Sequence, residues 1–144
     1  MTDLRRTMVS LGAAALLLTP TLAGQATAQV KEDFTQERFE ALQAEGALIL
    51  LDVFADWCPT CAEQQRVLAA YREARPSVPL HTLVIDYDRQ RRIARRFGAP
   101  RQSTLILFDG TTRRWFAVAE VRRDVIFAAL DEAAAARRAS AGSR

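Results

Sequence analysis

An apolar run near the middle of the chain, ALILLDVFA at residues 47–55, constrains the fold more than any other feature. The run has the length of one strand, and Asp52 is its only charged residue. A strand that is apolar on both faces belongs at the centre of a sheet whose two sides are covered by helices. We therefore expect an α/β domain with this run in the middle of its sheet.

The segments around this strand alternate between helical and extended patterns. Helices are predicted at residues 36–45, 59–74, 88–98 and 122–136, and further strands at residues 80–86, 103–108 and 113–121. Strands joined through helices pair in parallel, whereas the Asp109-Gly110 turn between the last two strands indicates an antiparallel hairpin. The predicted architecture is a mixed central sheet with helices on both faces.

The chain has the length and composition of one globular domain. Its 144 residues are 49% apolar, which is enough for a single core. The formal net charge of +3 is too small to indicate a nucleic-acid-binding protein. We assign residues 29–138 to one domain and residues 139–144, which are small and polar, to a flexible C-terminal tail.

Residues 1–28 have the order of a cleavable secretory signal. Arg5 and Arg6 precede an apolar segment, and an A-x-A cleavage pattern follows at residues 26–28. The apolar segment contains Pro20 and is shorter than the roughly 20 residues that span a bilayer, so an uncleaved anchor is the weaker alternative. The arginine pair also resembles a twin-arginine export signal. Either route predicts a periplasmic or secreted protein that is not inserted in a membrane after cleavage.

The only cysteines of the chain, Cys58 and Cys61, follow the central strand directly. Pro59 suits the first position of a helix, because its missing N–H would have no partner there. Cys58 then faces the free N–H groups and the positive dipole end at the start of that helix, which stabilise a thiolate and predict a lowered pKa. Cys61 lies one turn later, within disulfide reach.

Three uses of this cysteine pair are open from the residues alone. A structural zinc site usually needs four ligands, and the rest of the mature chain offers only His81 and carboxylates. A structural disulfide would close a loop too short to restrain the unfolded chain much. A redox-active pair that opens and closes in an oxidising compartment fits the spacing best.

Residues 34–136 resemble the thioredoxin-fold family. The segment EGALILLDVFADWCPTC is similar to the family's strand, buried acid, tryptophan and C-x-x-C motif, and FGAPRQSTLILFDG is similar to its later loop, strand and turn. The stretch DVFADWC is particularly similar to the thiol-reductase domain of the periplasmic electron-transfer hub. The resemblance implies a thioredoxin fold and thiol-disulfide exchange that needs no cofactor beyond the cysteine pair.

The resemblance also implies three catalytic roles. Cys58 corresponds to the nucleophile that attacks a partner disulfide, and Cys61 to the resolving thiol that releases the mixed disulfide. Asp52 corresponds to a buried acid with a raised pKa that takes the proton from Cys61. Thr82 stands where the family has a lysine near this acid, so water is expected to assist the transfer. The residues alone leave a second possibility for Asp52, a carboxylate at a strand end in contact with water.

A substrate-binding set follows from the same resemblance. Trp57 corresponds to the family's active-site tryptophan, although a core tryptophan would have the same pattern. Pro59 and Thr60 lie between the cysteines. Gln102 and Ser103 occupy the place of the family's cis-proline loop, beside which an extended substrate pairs like an added strand.

Serine in that place is a departure from the family. A cis bond before a residue other than proline costs about 2.5–4 kcal/mol, so a trans Gln102-Ser103 bond and a groove of changed shape are expected. The Ser103 hydroxyl is expected either to form a hydrogen bond with the Cys58 thiolate or to be solvated in the loop.

The resulting hypothesis is an exported thiol-disulfide oxidoreductase that reduces or isomerises disulfides in other exported proteins. A membrane thiol donor would keep it reduced, and it is expected to act as a monomer without a bound metal. One alternative is a non-catalytic redox sensor or Cu(I)-binding module that uses the same cysteines. Another is a net disulfide oxidase. Catalysis predicts an exposed Cys58 with a depressed pKa.

Overall fold

The computed structural model of the protein describes residues 29–142. Within this range the strands are β1 (Val30–Asp33), β2 (Leu48–Phe54), β3 (Leu80–Asp86), β4 (Thr104–Asp109) and β5 (Thr112–Val118). The helices are α1 (Gln36–Ala44), α2 (Pro59–Ala74), α3 (Arg91–Arg96) and α4 (Arg123–Gly142). The segment 1–28, which was assigned to a signal sequence, lies outside the described residues.

The strands form one mixed sheet in the order β1-β3-β2-β4-β5. Strand β3 is parallel to both β1 and β2, whereas β4 is antiparallel to β2 and β5 is antiparallel to β4. The predicted central position of β2 and the predicted hairpin are therefore confirmed.

Strand β2 divides the core into two layers. Leu48 and Leu50 pack with residues of α2 and α4, whereas Ile49, Leu51 and Val53 pack with residues of α1 and α3. Since successive side chains of a strand point to opposite faces, the alternation places Asp52 on the same face as Leu48 and Leu50, toward α2. Each of these apolar side chains is fully buried, which contributes about 1.5–3 kcal/mol per residue.

Short-range interactions begin and end the elements. The Thr35 hydroxyl accepts a hydrogen bond from the Arg38 N–H at 3.1 Å and caps α1. Gly110 has a φ of +57° in the β4-β5 turn, and a Cβ atom there would lie 3.3 Å from the Gly46 Cα atom. The turn therefore requires glycine for both its backbone angle and its close approach.

Strand β1 is absent from the predicted order of elements. Its sequence, VKED, is charged and short, and three of its four side chains are exposed. It is a strand only because it pairs with β3 at the edge of the sheet. Such a tertiary contact leaves no apolar pattern in the segment.

Two predicted helices have different bounds in the structure. Helix α3 covers only Arg91–Arg96, because the Asp86 carboxylate accepts hydrogen bonds from the N–H groups of Asp88 and Arg89 and holds a turn there. Helix α4 continues to Gly142, past the predicted end at residue 136, because the segment is rich in alanine. The part of the predicted flexible tail within the described residues is thus helical. No helix among residues 29–142 is long and apolar enough to cross a membrane.

Candidate functional site

The site lies where β2 ends and α2 begins. Cys58 is the N-cap of α2, and its sulfur accepts a hydrogen bond from the Cys61 N–H at 3.1 Å. Pro59 occupies the first position of the helix, as its missing N–H predicts. Both cysteines are buried free thiols. The strand-to-helix junction therefore brings a sulfur against the amide groups at the start of a helix.

Ser103 brings a hydroxyl to both sulfurs. Its Oγ lies 3.0 Å from the Cys58 Sγ and 3.2 Å from the Cys61 Sγ. The residue is buried, so the alternative of a solvated loop serine is wrong. No peptide bond between residues 29 and 142 is cis, which agrees with the expected trans bond before Ser103. A single hydroxyl thus contacts both sulfur atoms.

The backbone at Ser103 is held in an unfavourable conformation by its neighbours. Its φ is +59°, in the left-handed region that costs a residue with a Cβ about 1–3 kcal/mol. The Ser103 N–H donates to the Val53 carbonyl at 2.8 Å. The Ser103 carbonyl accepts from the Ala119 N–H at 2.7 Å and from the Gln64 side-chain amide at 3.2 Å. These bonds fix the hydroxyl against the sulfurs.

The pKa of the Cys58 thiol is lowered. Burial raises this pKa, but the hydrogen bonds that stabilise the thiolate outweigh burial. Those bonds come from the Cys61 thiol, the Ser103 hydroxyl, and the N–H groups of Cys61 and Thr60. The pKa of the Cys61 thiol is raised, chiefly by burial and then by its hydrogen bond to Cys58. The two thiols thus differ in the direction that a nucleophile and a resolving thiol require.

The prediction of an exposed Cys58 is wrong. The residue is 4% exposed, because it caps α2 and packs with Ala55 and Tyr87. Its chain neighbours are different: Trp57 is 59% exposed and Pro59 is also exposed. A partner must therefore reach the sulfur past these two residues.

Asp52 is completely buried, which excludes the alternative of a carboxylate in contact with water. Burial raises its pKa, against the lowering effects of a hydrogen bond from Gln65 and the charges of Lys31 and Arg72. The Gln65 amide donates to the Asp52 Oδ2 at 2.6 Å. The second oxygen, Oδ1, is buried and has no hydrogen-bond partner among the described residues. Burial thus shifts Asp52 toward its neutral form and the Gln65 donor opposes that shift, with Oδ2 hydrogen-bonded and Oδ1 without a hydrogen-bond partner among the described residues.

The residues expected to bind substrate are chain neighbours of the cysteines and of Ser103. The Trp57 indole N–H donates to the Asp88 Oδ2 at 2.8 Å, so this tryptophan is an anchored surface platform and not a core residue. Thr60 is half-buried between the cysteines and Gln102 is half-buried beside Ser103. The structure brings both segments to the same end of β2.

Two adjacent glutamines of the site are absent from the residues predicted from the sequence. Gln64 is buried and donates to the carbonyls of Ser103 and Glu120, at 3.2 and 2.9 Å, whereas Gln65 donates to Asp52. Their positions three and four residues after Cys61 place them one helical turn beyond it, and that spacing was the available signal. Within residues 29–142 no group of three or more His, Cys, Asp or Glu side chains could hold a metal ion.

The chain is similar to known thioredoxins. Thioredoxin of Chlamydia muridarum is 40% identical over 77 residues, which cover 53% of this chain and 72% of the chlamydial protein. Among solved structures, Trxlp from Edwardsiella tarda has a TM-score of 0.65 and 30% identity, covering 69% of this chain and 97% of its own. Thioredoxin of Malassezia sympodialis, with a TM-score of 0.61 and 20% identity, covers 74% of this chain and 95% of its own and supports the fold alone. No family model matches the chain.

The mixed five-stranded sheet and the close cysteine pair define a thioredoxin-like redox protein. The chain belongs to the thioredoxin family. The predicted thioredoxin fold is thereby confirmed.

Proposed function

We propose that the protein is an exported protein thiol-disulfide oxidoreductase. The observation that carries the proposal is the pair of thiols with opposite pKa shifts, both in contact with the Ser103 hydroxyl. The lowered pKa of Cys58 favours the thiolate that attacks, and the raised pKa of Cys61 keeps the other thiol protonated until the second step.

The exchange proceeds in two steps. The Cys58 thiolate attacks one sulfur of a partner disulfide, a mixed disulfide forms, and the other partner sulfur leaves as a thiolate. The Cys61 thiol then gives its proton to the Asp52 carboxylate and attacks the Cys58 sulfur. The Cys58-Cys61 disulfide forms, and the second partner sulfur leaves. Two electrons pass from the cysteine pair to the partner, which is the direction of a reductase.

We further propose that the partners are exported proteins with disulfides and that a membrane thiol donor restores the dithiol. Support for export comes from the sequence of residues 1–28, with its basic start, apolar segment and A-x-A pattern. Trp57 and Pro59 offer an exposed apolar surface beside the nucleophile, which suits an unfolded or extended partner segment. In an isomerase the same attack by Cys58 forms the mixed disulfide, and another thiol of the partner then displaces Cys58, so that a new partner disulfide forms with no net transfer of electrons.

Trapping of mixed disulfides tests the proposal. The Cys61→Ala variant lacks the resolving thiol, so partners attacked by Cys58 stay attached and appear as higher bands that disappear on reduction. The matched control is Cys58→Ala, which keeps one thiol but not the nucleophile. Equal trapping by the two variants, or none by either, would contradict the proposal. Fractionation of the same cells reports whether the protein is outside the cytoplasm.

A measured reduction potential separates the reductase from a net oxidase. We expect the purified protein to reduce a model protein disulfide in the presence of an excess of dithiol. A potential near that of the strongly oxidising proteins, about −120 mV, would instead indicate an oxidase.

A further inference from the structure

The buried acid of the site is connected to the protein surface by one hydrogen-bonded chain. The Lys31 ammonium on β1 donates to the Gln65 Oε1 at 2.6 Å, and the Gln65 Nε2 donates to the Asp52 Oδ2 at 2.6 Å. Lys31 is exposed and lines an open cavity of about 560 Å³ with residues at the ends of β2 and β3. Gln65 therefore lies between a solvated charge and a carboxyl group that is completely buried.

The donor and acceptor groups of the lysine and glutamine side chains determine the direction of these hydrogen bonds. An ammonium group has donors only, so the Gln65 oxygen must face Lys31, and the amide NH₂ group must then face Asp52. Without Lys31 the amide could turn by half a rotation and present its oxygen to Asp52. An amide NH₂ group stabilises the carboxylate, whereas an amide oxygen stabilises the protonated acid. The lysine thus selects which form of the acid the amide supports.

The other neighbours of Asp52 form no hydrogen bond with its carboxyl group among the described residues. Its register partners on β3 and β4 are Val84 and Leu105, which are apolar. On α2 the charged group that acts on Asp52 is Arg72, through its field. With Oδ1 unpartnered among the described residues, the bond from Gln65 is the hydrogen bond that the structure gives to this carboxyl group.

We propose that Lys31 and Gln65 are positioning residues that fix the polarity of the hydrogen bond to Asp52 and so keep its carboxylate available at working pH. The inference rests on the proposed function, in which Asp52 takes the proton of Cys61. With Oδ2 held by Gln65, the transferred proton goes to Oδ1. The proton leaves the Cys61 sulfur as that sulfur attacks Cys58, so the step is balanced within the site.

The test measures the titration of Asp52 by carboxyl-carbon NMR in the reduced full-length protein. Assignment of its signal is checked by its loss in Asp52→Asn. Gln65→Leu removes the donor and Lys31→Met removes the charge that orients it. We expect both to move the titration midpoint upward by roughly one pH unit, through loss of the hydrogen bond in Gln65→Leu, and in Lys31→Met through its reversal together with loss of the Lys31 charge that also acts on Asp52. Lys31→Arg, which keeps the donors, should restore the midpoint.

The matched control is Arg66→Met, which removes an exposed positive charge on α2 beside Gln65. It should leave the midpoint in place. The second readout is the pH profile of mixed-disulfide resolution with a model disulfide, whose acid limb should move upward by the same amount in Gln65→Leu and Lys31→Met.

The titration of Asp52 tests the inference about Lys31 and Gln65, and the resolution of mixed disulfides tests the proposed function. An unchanged Asp52 midpoint in folded Gln65→Leu and Lys31→Met proteins overturns the inference, whatever the activity. A shift in Gln65→Leu alone overturns the orienting role of Lys31. If the midpoints shift as expected but the wild-type protein resolves no mixed disulfide, the proposed function fails while the hydrogen-bonded chain stands.

Discussion

The site contains two buried acids, Asp52 in β2 and Cys58 at the start of α2, and their pKa values are shifted in opposite directions. Cys58 and Asp52 are 4% and 0% exposed, and burial raises the pKa of both. The Cys58 sulfur receives several hydrogen bonds, which bring its pKa below the usual value, whereas Asp52 receives one, from Gln65. The comparison teaches that the form of a buried acid depends on whether its donors outweigh its desolvation: they do at Cys58, whereas the single donor at Asp52 does not outweigh complete burial.

The two acids also differ in what holds their donors. The donors at Cys58 are the Cys61 thiol, backbone N–H groups of α2 and a hydroxyl on a strained loop, all of them carried by segments that the fold holds in place. The donor at Asp52 is a side chain that depends on a second side chain, Lys31. The Cys58 thiolate is therefore stabilised by a rigid environment. The environment of the Asp52 carboxyl group, by contrast, can be changed by a single substitution.

The largest effect is expected from removal of the low-pKa thiol. In Cys58→Ala, reduction of a model protein disulfide should fall to the background rate, because Cys61 has a raised pKa and is fully buried. The measurement is the turnover of a purified variant with excess dithiol. Residual turnover close to that of the wild type would show that Cys61 can act as nucleophile and would remove the distinction between the two thiols.

Replacement of the buried carboxyl group should increase stability in a pH-dependent way. Because the pKa of Asp52 is raised in the folded protein, the unfolded chain loses this proton first as pH rises. The cost of the ionised group is therefore absent below the unfolded pKa of about 3.9 and is fully present above the folded pKa.

Asp52→Asn imitates the neutral acid, so it should unfold at higher denaturant concentration than the wild type at about pH 8 and at the same concentration at about pH 3.5. Urea unfolding at the two pH values measures the difference. An equal gain in stability at both pH values would mean that the shape of the asparagine side chain, and not the loss of the charge, causes the gain.

Removal of the Ser103 hydroxyl should weaken the thiolate without removing the nucleophile. In Ser103→Ala, the pKa of Cys58 should rise, and its rate of alkylation at about pH 6 should fall roughly tenfold, the effect of one hydrogen bond to a charged group. The matched control is Thr104→Val, which removes the neighbouring buried hydroxyl that donates to the Arg101 carbonyl. A similar fall in both variants would assign the effect to the loop as a whole.

The smallest effect is expected from Gln64, which supports the sulfur side of the site. Gln64→Leu leaves the Glu120 carbonyl without its side-chain donor, while the Ser103 carbonyl keeps the Ala119 N–H. We expect a loss of about 1–2 kcal/mol in the free energy of unfolding, and no change in the titration of Asp52. A shift of the Asp52 midpoint would show that the two sides are coupled through α2.

Much of the fold was predictable because its signals are local. The apolar run of β2, the Thr35 cap, Pro59 and the Asp109-Gly110 turn depend on neighbouring residues in the chain. Strand β1 was missed because a charged edge strand exists only through its pairing with β3. The same limit applies to the site: the pair Lys31 and Gln65 is separated by 34 positions, and no sequence spacing connects it.

By itself, the sequence determined the family, the order of the central elements and the placement of a cysteine at the start of a helix. The family follows from the resemblance of the segments around the cysteines and Ser103, whereas the order of elements and the place of the cysteine follow from apolar periodicity and from the backbone chemistry of proline and helix ends, which act over a few residues. The tertiary structure alone decided that Ser103 contacts both sulfurs, that Cys58 is buried, and that Lys31 reaches Asp52 through Gln65. Those contacts join segments far apart in the chain, and only the packing of α2 and β1 against the sheet brings their polar atoms within hydrogen-bond distance.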